Sequence, residues 1–373
     1  MRVFVTGLQG YIGTVLGATL RSRGHVVAGA DTGFYRERLL YDDGAGVAPY
    51  LACDVRELEP QDLVGYDAVV HLAELSNDPV GYLNPAVTYE INYRGSVRLA
   101  RLCKQAGVPR FVYSSSCSVY GRGSEDYRVE ESALDPRTPY AVCKVLVEQE
   151  LLRMADDEFS PTVLRNATAY GASPAMRFDL VLNNLAGWAW TTGEIRMTSN
   201  GSPWRPVVHV RDIAEAVACV LDAPRAVVHR QIFNVGQTQE NYRVAEIAEI
   251  VAQVFPGCRV SLGQTDSDER SYRVSFEKIH AVLPGFRCQH DVRAGAHELR
   301  ALFERVQLTR AVFEMPTFTR VKCLQRLITG GQVDEALFWR HRRRALEESG
   351  CGLETPVGNA RSVAYRPGPG LVS

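Results

Sequence analysis

The chain has 373 residues, of which 46% are hydrophobic and 23% are charged, a composition typical of globular proteins. This length allows two domains, or one large α/β domain with a smaller partner. Lys and Arg together number 42 and Asp and Glu 43, so the formal charge of -1 provides no field that attracts nucleic acid. No apolar run approaches the ~18 residues of a membrane span, and the first residues lack the pattern of a secretory leader. We therefore expect a cytoplasmic protein without a nucleic-acid or membrane partner.

The cysteines and histidines follow no metal-binding or disulfide pattern. The nine cysteines include no CxxC pair, and the eight histidines show no HxxxH or HExxH spacing. This usage is typical of reduced intracellular thiols. We predict no structural metal and no disulfide framework.

Five short runs rich in β-branched residues alternate with helical patterns over the first 165 residues. The helical patterns have apolar residues at intervals of three and four and cover residues 10–23, 85–106 and 139–154. Strands that alternate with helices make right-handed crossovers in a parallel sheet covered on both faces. We predict an α/β fold with a Rossmann-type doubly wound parallel sheet, whose first five strands lie at residues 2–6, 25–30, 68–73, 110–115 and 161–166.

The alternation becomes irregular after residue 170, where Gly and Pro cluster. An amphipathic pattern at 244–255 predicts a helix in this later part, and the basic run at 340–344 is expected to be a solvated helix face. We predict three parts, namely a Rossmann domain at 1–170 whose sheet is completed by later segments, a smaller α/β lobe for the substrate at 171–330, and a C-terminal helix with a loosely held tail at 331–373.

A glycine-rich turn follows the first predicted strand. Gly7, Gly10 and Gly13 are spaced as GxxGxxG between that strand and a helix. Glycines permit a tight turn and a close backbone approach, and the helix N-terminus offers N–H groups and a positive dipole end to a pyrophosphate. Asp31 follows the second strand, where a carboxylate accepts both ribose hydroxyls of NAD and repels a 2'-phosphate. The turn and Asp31 together predict NAD, in preference to NADP, as the cofactor.

Three further positions near this turn have more than one interpretation. Arg36 and Arg38 lie downstream of Asp31, and we interpret them as solvated loop charges in preference to ligands of a 2'-phosphate. Asp54 precedes Val55 after a third apolar stretch. Its carboxylate is expected either to accept the adenine amino group or to cap a turn.

Tyr140 and Lys144 stand four residues apart in a predicted helix that begins near Pro139. That spacing puts both side chains on one helix face, where an ammonium favours the phenolate form of a tyrosine. Lys144 and the positive charge of the nicotinamide are two cations that stabilise this phenolate, so we expect the pKa of Tyr140 to fall from its usual value of ~10 toward neutrality and the phenol to act as a general base. The hydroxyl-rich segment 113–121 leaves the carboxyl end of a predicted strand, where ligands bind in doubly wound sheets. The spacing is common alone, and its combination with these hydroxyls predicts a catalytic site.

These motifs together resemble the extended short-chain dehydrogenase/reductases that act on nucleotide sugars, in particular the NAD-dependent epimerase/dehydratase family and its 4-epimerases. The family fold is a Rossmann domain with a smaller lobe that closes over the sugar nucleotide, in agreement with the organisation predicted above. The resemblance also implies a nucleotide-diphosphate sugar as substrate and a homodimer. It covers about residues 1–330 and depends on the segments TGLQGYIG (6–13), HLAE (71–74), YSSSCSVYG (113–121), YAVCK (140–144) and RPVVHVRDI (205–213).

The resemblance implies a role for each matching residue. Tyr140 is expected to be the general base and Lys144 its pKa-lowering partner and a ribose ligand. Ser116 is expected to bind the reacting oxygen, with Ser118 as a second hydroxyl of the site. The expected cofactor contacts are Gly7, Gln9, Gly10, Tyr11, Ile12, Gly13, Asp31, Asp54, Val55, Leu72, Ala73, Asn92, Ser114, Tyr140 and Lys144. The expected substrate contacts are Glu74, Ser116, Thr168, Asn184, Arg205 and Arg270, of which Asn184 and Arg205 match positions that hold the diphosphate.

Two departures from the family patterns bear on the reaction. Family members that eliminate water usually carry Asp-Glu after the catalytic hydroxyl, whereas Cys117 and Ser118 follow Ser116 here. A 4,6-dehydratase is therefore disfavoured. The 3,5-epimerase/4-reductase branch uses a Cys and His pair, and Ser118 stands at the position of that cysteine, so this reaction is disfavoured as well.

Three departures bear on the substrate. Glu74 replaces a small residue after HLA, and it is expected either to contact sugar hydroxyls or to turn outward. Thr168 stands where many relatives carry Asn. Arg270, in the segment 268–272, is offset from the family's late phosphate or ribose contact.

The complete Ser116, Tyr140 and Lys144 set favours a nucleotide-sugar epimerase that acts at C4 through a transient 4-keto sugar. The first alternative is a 4-ketoreductase of deoxysugar biosynthesis, which uses the same residues once and consumes NAD(P)H. An alternative of another class is a non-catalytic NAD-binding or redox-sensing protein, which has little need for these three residues together.

Overall fold

The strands are known from a computed structural model, which describes residues 1–340 except 36–38, 43, 45, 47 and 265–269. Arg36, Arg38, the residues just before Arg270 and nearly all of the predicted C-terminal part therefore lie outside the described residues. The strands in the described part are Arg2–Thr6 (β1), Val26–Ala30 (β2), Tyr50–Leu51 (β3), Ala68–His71 (β4), Arg110–Ser116 (β5), Arg122–Arg128 (β6), Ser160–Asn166 (β7), Thr168–Tyr170 (β8), Glu194–Arg196 (β9), Trp204–His209 (β10), Ile232–Val235 (β11), Asn241–Arg243 (β12), Arg259–Ser261 (β13) and Ser271–Val274 (β14).

Seven parallel strands form the central sheet, in the order β11-β7-β5-β4-β1-β2-β3. Val3 of β1 lies opposite Val27 of β2 on one side and Ala68 of β4 on the other. Every residue of β4 and β7 is buried, as expected for a parallel sheet covered on both faces. The strand order reverses between β1 and β4, and this reversal opens a crevice at the carboxyl ends of the strands. The predicted Rossmann-type fold is confirmed.

Helices cover both faces of this sheet and build the smaller lobe. Their bounds are Tyr11–Ser22 (α1), Asp78–Leu83 (α2), Pro85–Thr88 (α3), Ser96–Gln105 (α4), Pro139–Met154 (α5), Val181–Thr192 (α6), Val210–Asp222 (α7), Arg225–Val228 (α8), Val244–Val254 (α9), Glu277–Val282 (α10), Val292–Arg305 (α11), Arg310–Phe313 (α12) and Arg320–Thr329 (α13). None of the described helices is both long and apolar enough to cross a bilayer.

Two predicted elements differ from the observed ones, and both lie beside the crevice. The strand predicted at 68–73 ends at His71, because the chain leaves the sheet there to line the crevice. The helix predicted at 85–106 is interrupted by a π-helical segment, Tyr89–Gly95, between α3 and α4. The Asn92 side chain in this segment accepts a hydrogen bond from the Leu75 N–H at 2.8 Å and donates one to the Leu75 carbonyl at 3.0 Å. Asn92 therefore fixes the loop that follows β4.

The smaller lobe has its own sheet and core. β10 pairs in parallel with β8 and antiparallel with β12, and the apolar faces of α6, α9 and α11 share one buried cluster. The helix predicted at 244–255 is observed as α9. The domain bounds at 170 and 330 stay a prediction.

Helix α13 and residues 333–339 pack on the loop that follows β2. The Cys323 thiol donates to the Phe34 carbonyl, and the Trp339 indole N–H donates to the Thr32 carbonyl at 2.7 Å. Leu324 belongs to the same buried cluster as Phe34 and Leu75. This late segment of the chain therefore covers the nucleotide side of the sheet, about 300 residues away in sequence from the loop that it contacts.

Candidate active site

The turn after β1 has a geometry that requires glycine at two positions. Gly7 has a φ of 75°, and a Cβ there would lie 2.9 Å from the Ala73 nitrogen. A Cβ on Gly13 would lie 2.1 Å from the Gly7 carbonyl oxygen, so this glycine lets α1 pack on the turn. Gly10 caps α1 without a side chain, and the first N–H groups of a helix have no intrahelical partner. The turn is therefore a backbone cradle that fits a diphosphate.

Asp31, directly after β2, lines the same crevice. One carboxylate oxygen accepts from the Gln9 N–H at 3.0 Å and the other accepts from the Gly33 N–H at 2.7 Å. A carboxylate has about four acceptor positions, so both oxygens keep capacity for ribose hydroxyls. Asp31 thus holds the glycine turn in place and presents a negative charge where a 2'-phosphate would lie.

Asp54 caps a short 3-10 helix, Val55–Glu57, as the second interpretation of this residue expected. Its Oδ1 accepts from the backbone N–H of Arg56 at 2.8 Å, and the Arg56 guanidinium binds both carboxylate oxygens at 2.9 Å. Asp54 and Val55 also line the crevice. The contact between Asp54 and adenine stays a prediction.

The structure shows which predicted cofactor residues line the crevice, and it places two others, Tyr11 and Ile12, elsewhere. One group lines the crevice: Gly7, Gly10, Asp31, Asp54, Val55, Leu72 and Ala73. Tyr11 instead is buried against the smaller lobe, where its hydroxyl donates to the Gly171 carbonyl at 2.7 Å and accepts from the Asn183 amide. Ile12 packs against both large cores. The side chains of Tyr11 and Ile12 therefore join α1 to the smaller lobe, and the cofactor contacts predicted for these two residues stay predictions.

Strand β5 and helix α5 bring Ser116, Tyr140 and Lys144 together. Thr138 caps α5 by accepting from the Ala141 N–H at 3.1 Å, and Pro139 fits the first turn, where no N–H donor is required. The Ser116 hydroxyl lies close enough to the Tyr140 phenol to lower the pKa of that phenol, and it accepts from the Ser118 N–H at 3.1 Å. Lys144 Nζ lies 5.4 Å from the centre of the Tyr140 ring and donates to the Ser114 carbonyl. The geometry agrees with the predicted catalytic set, whose roles stay a prediction.

The carboxylate of Glu74 turns inward to Lys144, which neither interpretation from the sequence expected. Its Oε2 lies 2.7 Å from Lys144 Nζ, and the two side chains are 3% and 5% exposed. Its Oε1 accepts from the Tyr113 hydroxyl at 2.7 Å. The outward orientation of Glu74 is therefore wrong, and its carboxylate is a buried partner of Lys144.

The protein's own groups raise the pKa of Tyr140 above its ordinary value, and the predicted fall, which also depends on the charge of the nicotinamide, stays a prediction. Burial is the main cause, because it disfavours the charged phenolate, and the negative charges of Glu74 and Asp78 act in the same direction. Lys144 does not offset these effects, since its charge is shared with Glu74. The tyrosine is protonated at neutral pH before ligands bind.

The two residues after Ser116 carry no acid. Cys117 is buried, and its thiol donates to the Arg165 carbonyl at 3.2 Å, on the core side of the strand. Burial raises the pKa of the Cys117 thiol well above its ordinary value. The Ser118 hydroxyl is buried without a hydrogen-bond partner in the described part of the chain. Ser118 therefore has a donor and acceptor to offer a ligand.

The predicted substrate residues lie on several elements of the smaller lobe. Arg205, on β10, donates to the Arg270 carbonyl, and the Arg270 guanidinium pairs with Asp78 at the start of α2. Thr168 lies opposite Val207, two residues from Arg205 on the adjacent strand. Asn184 binds the Phe178 carbonyl at 2.8 Å. The structure brings Arg205, Arg270 and Thr168 into one region, whereas Asn184 donates to a carbonyl of its own segment.

Sequence reasoning missed a buried polar chain behind Lys144. His71 bridges the hydroxyls of Thr6, at 2.7 Å, and Ser96, at 2.8 Å. Burial lowers the pKa of His71 to about 3, so this imidazole is neutral. Ser96 and Tyr113 both contact Glu74. His71 and Tyr113 stand inside the motifs HLAE and YSSSCSVYG, so their positions in these motifs could have indicated that they belong to the site.

The fold and this site define a class of protein: a Rossmann-type enzyme with a nucleotide cradle and a Ser-Tyr-Lys set at the carboxyl edge of its sheet. The sequence model of the NAD dependent epimerase/dehydratase family matches residues 3–236. The chain belongs to that family, and NAD is its cofactor. The glycine cradle and Asp31 fit this cofactor.

The relatives catalyse more than one reaction. The chain is 28% identical over 280 residues to UDP-glucose 4-epimerase from Bacillus subtilis, with 68% of this chain and 82% of that protein covered. It is 25% identical to UDP-N-acetyl-alpha-D-glucosaminuronate decarboxylase from Bacillus cytotoxicus, with 75% and 85% covered. The solved structure of MoeE5 with UDP-glucuronic acid and NAD has a TM-score of 0.70 and 28% identity, with 82% and 99% covered.

Proposed function

We propose that this enzyme is a nucleotide-sugar epimerase that inverts C4 of a hexose through a transient 4-keto sugar. The observation that carries the proposal is the position of Ser116 beside the Tyr140 phenol, followed by two residues, Cys117 and Ser118, without an acid. Abstraction of the C4 hydroxyl proton needs only the phenol and the serine hydroxyl. Elimination of water needs a further acid, which this segment does not supply.

The residues of the site have distinct parts in this reaction. NAD, when bound, supplies the acceptor and later the donor of the C4 hydride. Ser116 orients the C4 oxygen, and Tyr140 takes its proton and returns it to the same oxygen after the sugar has turned over. Lys144 holds positive charge near Tyr140, which stabilises the phenolate before it takes the proton and after it returns the proton. Each turnover leaves the enzyme and its cofactor unchanged.

The substrate class is a nucleotide-diphosphate sugar. Arg205 and Arg270 support this part of the proposal, because guanidinium groups bind phosphate oxygens in two-point contacts. Arg270 is paired with Asp78, so a diphosphate has to displace that carboxylate as it binds. The chain matches UDP-glucose 4-epimerase from Bacillus subtilis over 82% of that protein, and UDP-glucose is a substrate of this class.

The test uses purified protein without added cofactor and a panel of UDP-, dTDP-, GDP- and CDP-hexoses that includes UDP-glucuronic acid. We expect NMR to detect a C4 stereoisomer of one substrate, with no net formation of NADH. Loss of carbon dioxide, elimination of water or stoichiometric use of a reduced cofactor would replace the proposal with a decarboxylase, a dehydratase or a ketoreductase.

A second measurement separates an epimerase from a ketoreductase. An epimerase keeps NAD through its cycle, whereas a ketoreductase exchanges it in every turnover. We expect NAD to be released when the freshly purified protein is denatured by heat. Protein that carries no nucleotide and turns over a 4-keto sugar only with added NAD(P)H would contradict the proposed reaction.

A further inference from the structure

Arg320, the first residue of α13, extends from the C-terminal segment into the crevice that holds the glycine turn. It lines the crevice together with Gly7, Gly10 and Asp31, although more than 280 residues separate it from them in sequence. It is the only cationic side chain that lines this crevice among the residues that the structure describes. Among the described residues, a cofactor with a diphosphate therefore meets the guanidinium of Arg320 here.

The Arg320 side chain is buried, and the charges of Asp179 and Asp31 act on it without an ion pair to its guanidinium in the described part of the chain. The residue is 7% exposed, and its Nε is buried without a hydrogen-bond partner in the described part of the chain. Its guanidinium lies 3.7 Å from the centre of the Tyr35 ring. A buried cation is costly unless it is paired, so this arrangement indicates that a ligand completes the site.

The neighbouring carboxylates are already engaged. Asp179 accepts two hydrogen bonds from Arg177, at 2.8 and 3.1 Å, and one from Asn77 at 3.0 Å. The contact of Asp179 with Arg320 is made by the Arg320 backbone N–H, at 3.2 Å. Asp31 accepts from two backbone N–H groups. None of these contacts satisfies the Arg320 guanidinium.

The position of Arg320 is held by the packing of the C-terminal segment. α13 is attached to the loop after β2 by the contact of Cys323 with Phe34, and Leu324 is buried beside Leu75. Arg320 itself rests on Tyr35 of the same loop. Its side chain is therefore positioned before a ligand arrives, which reduces the entropy lost on binding.

We propose that Arg320 is a ligand of the NAD diphosphate, so that the C-terminal segment closes the cofactor site and retains NAD. The diphosphate is the anionic part of NAD that lies at a glycine turn of this kind. A guanidinium fits it better than a ribose, because its planar N–H groups match phosphate oxygens. The proposal depends on NAD being the cofactor and is independent of which reaction follows.

The test is calorimetric titration of NAD, ADP, adenosine and UDP into Arg320→Gln and the wild type, each freed of bound nucleotide beforehand. A hydrogen bond to a charged group is lost, so we expect affinity for NAD and ADP to fall by ~10- to 100-fold. Affinity for adenosine should change by less than about twofold, because adenosine has no phosphate. Lys322→Gln is the matched control, since it removes a positive charge from an exposed position of the same helix.

The possible results lead to distinct conclusions. Equal losses for adenosine and NAD would mean that Arg320 only shapes the pocket, and unchanged NAD affinity in folded Arg320→Gln would also overturn the proposal. A selective loss of UDP binding would assign the guanidinium to the substrate diphosphate and overturn it too. Arg320→Lys retains the charge and is the variant to use if the glutamine variant fails to fold. Wild-type affinity of this lysine variant for both NAD and adenosine would contradict a two-point contact between Arg320 and the diphosphate. Epimerase activity is not needed for any of these readouts.

Discussion

Lys144 has two buried neighbours with opposite effects on the chemistry. Tyr140 needs the ammonium near its oxygen to become a phenolate, whereas Glu74 forms the ion pair that holds the ammonium at 2.7 Å. Both carboxylate and ammonium are almost fully buried, so their attraction is little screened by water. The charge of Glu74 therefore decides how much of the lysine's field reaches the tyrosine.

Replacement of Tyr140 by phenylalanine removes the proposed proton acceptor and little volume. A general base contributes ~100- to 10,000-fold in rate, and we expect at least that loss in kcat once a substrate is known. NAD affinity should stay within about threefold of the wild type, because the ring and Lys144 remain. Steady-state kinetics and calorimetry measure the two quantities. Turnover near the wild-type rate would mean that the phenol only packs.

Glu74→Gln tests the effect of this carboxylate on Tyr140. The pKa of Tyr140 is raised by burial and, next, by Glu74, so removal of the negative charge lowers it. Activity that needs the phenolate rises with pH through this pKa, and the rising limb of kcat should therefore move to lower pH, by roughly one unit. Glutamine keeps a hydrogen-bond acceptor for Tyr113.

The control for this pH profile is Glu90→Gln. Glu90 is an exposed carboxylate that pairs with Arg94 on the protein surface. Its removal changes the net charge by the same amount as Glu74→Gln and should leave the profile in place. A Glu74→Gln profile that coincides with the wild-type profile would show that Tyr140 does not sense this charge.

Helix α5 is anchored to the sheet by a buried ion pair beneath its catalytic face. Arg165 on β7 donates to Glu148 at 2.7 Å, and both side chains are 3% exposed. Arg165 also donates to the Tyr120 hydroxyl at 3.0 Å, and Glu148 accepts from Ser115 at 2.5 Å. These contacts hold α5, and with it Tyr140, at a fixed position relative to β5.

Removal of one partner should be costly. Glu148→Gln leaves Arg165 buried without a counter-charge, and we expect the free energy of unfolding to fall by about 3 to 5 kcal/mol. Urea denaturation measures this change. Glu150→Gln removes an exposed pair with Arg153 on the same helix and should cost less than about 1 kcal/mol. The double change Glu148→Leu and Arg165→Met should cost less than the single one, because no unpaired charge remains.

At the scale of the whole molecule, two histidine–carboxylate pairs join the smaller lobe to the helix that packs on α1. His209 lies 2.7 Å from Glu298 of α11, and His290 lies 3.0 Å from Asp212 of α7. The two imidazole rings stack at 4.1 Å between centres, and Arg211 pairs with Glu298 at 3.1 Å. The charge of His290 therefore affects the contact between the smaller lobe and α7.

The His290 pair predicts a pH dependence of stability. A hydrogen bond to Asp212 is the main cause that raises the pKa of His290. Its contribution is fully present below the unfolded pKa of ~6.5 and is lost as pH rises through the raised folded value. His290→Gln should therefore destabilise the protein more at pH 6 than at pH 9, by up to about 1 kcal/mol because the ring is partly exposed.

Thermal unfolding at the two pH values measures this difference. His297→Gln is the control, since His297 is exposed on α11 next to Glu298. It should leave the stability near that of the wild type. Equal losses for His290→Gln at both pH values would mean that only packing of the ring contributes.

The sequence by itself determined the local parts of the fold and the list of reactive residues. Strands β1 and β5 and helices α1 and α5 follow from alternation, glycine spacing and capping, which are local signals. The glycine turn, Asp31 and the Tyr140–Lys144 spacing were visible for the same reason. Their physical basis is short-range, because each depends on contacts or backbone geometry within a few residues.

Only the tertiary structure decided the electrostatics of the site and how it is closed. Burial is the main cause that raises the pKa of Tyr140, and the carboxylate of Glu74, which turns inward to Lys144, adds to the rise. Arg320 had no local signal, since it reaches the crevice from a helix that is remote in sequence. Burial and long-range pairing are properties of the folded chain, and they set the charge that each of these groups presents to a ligand.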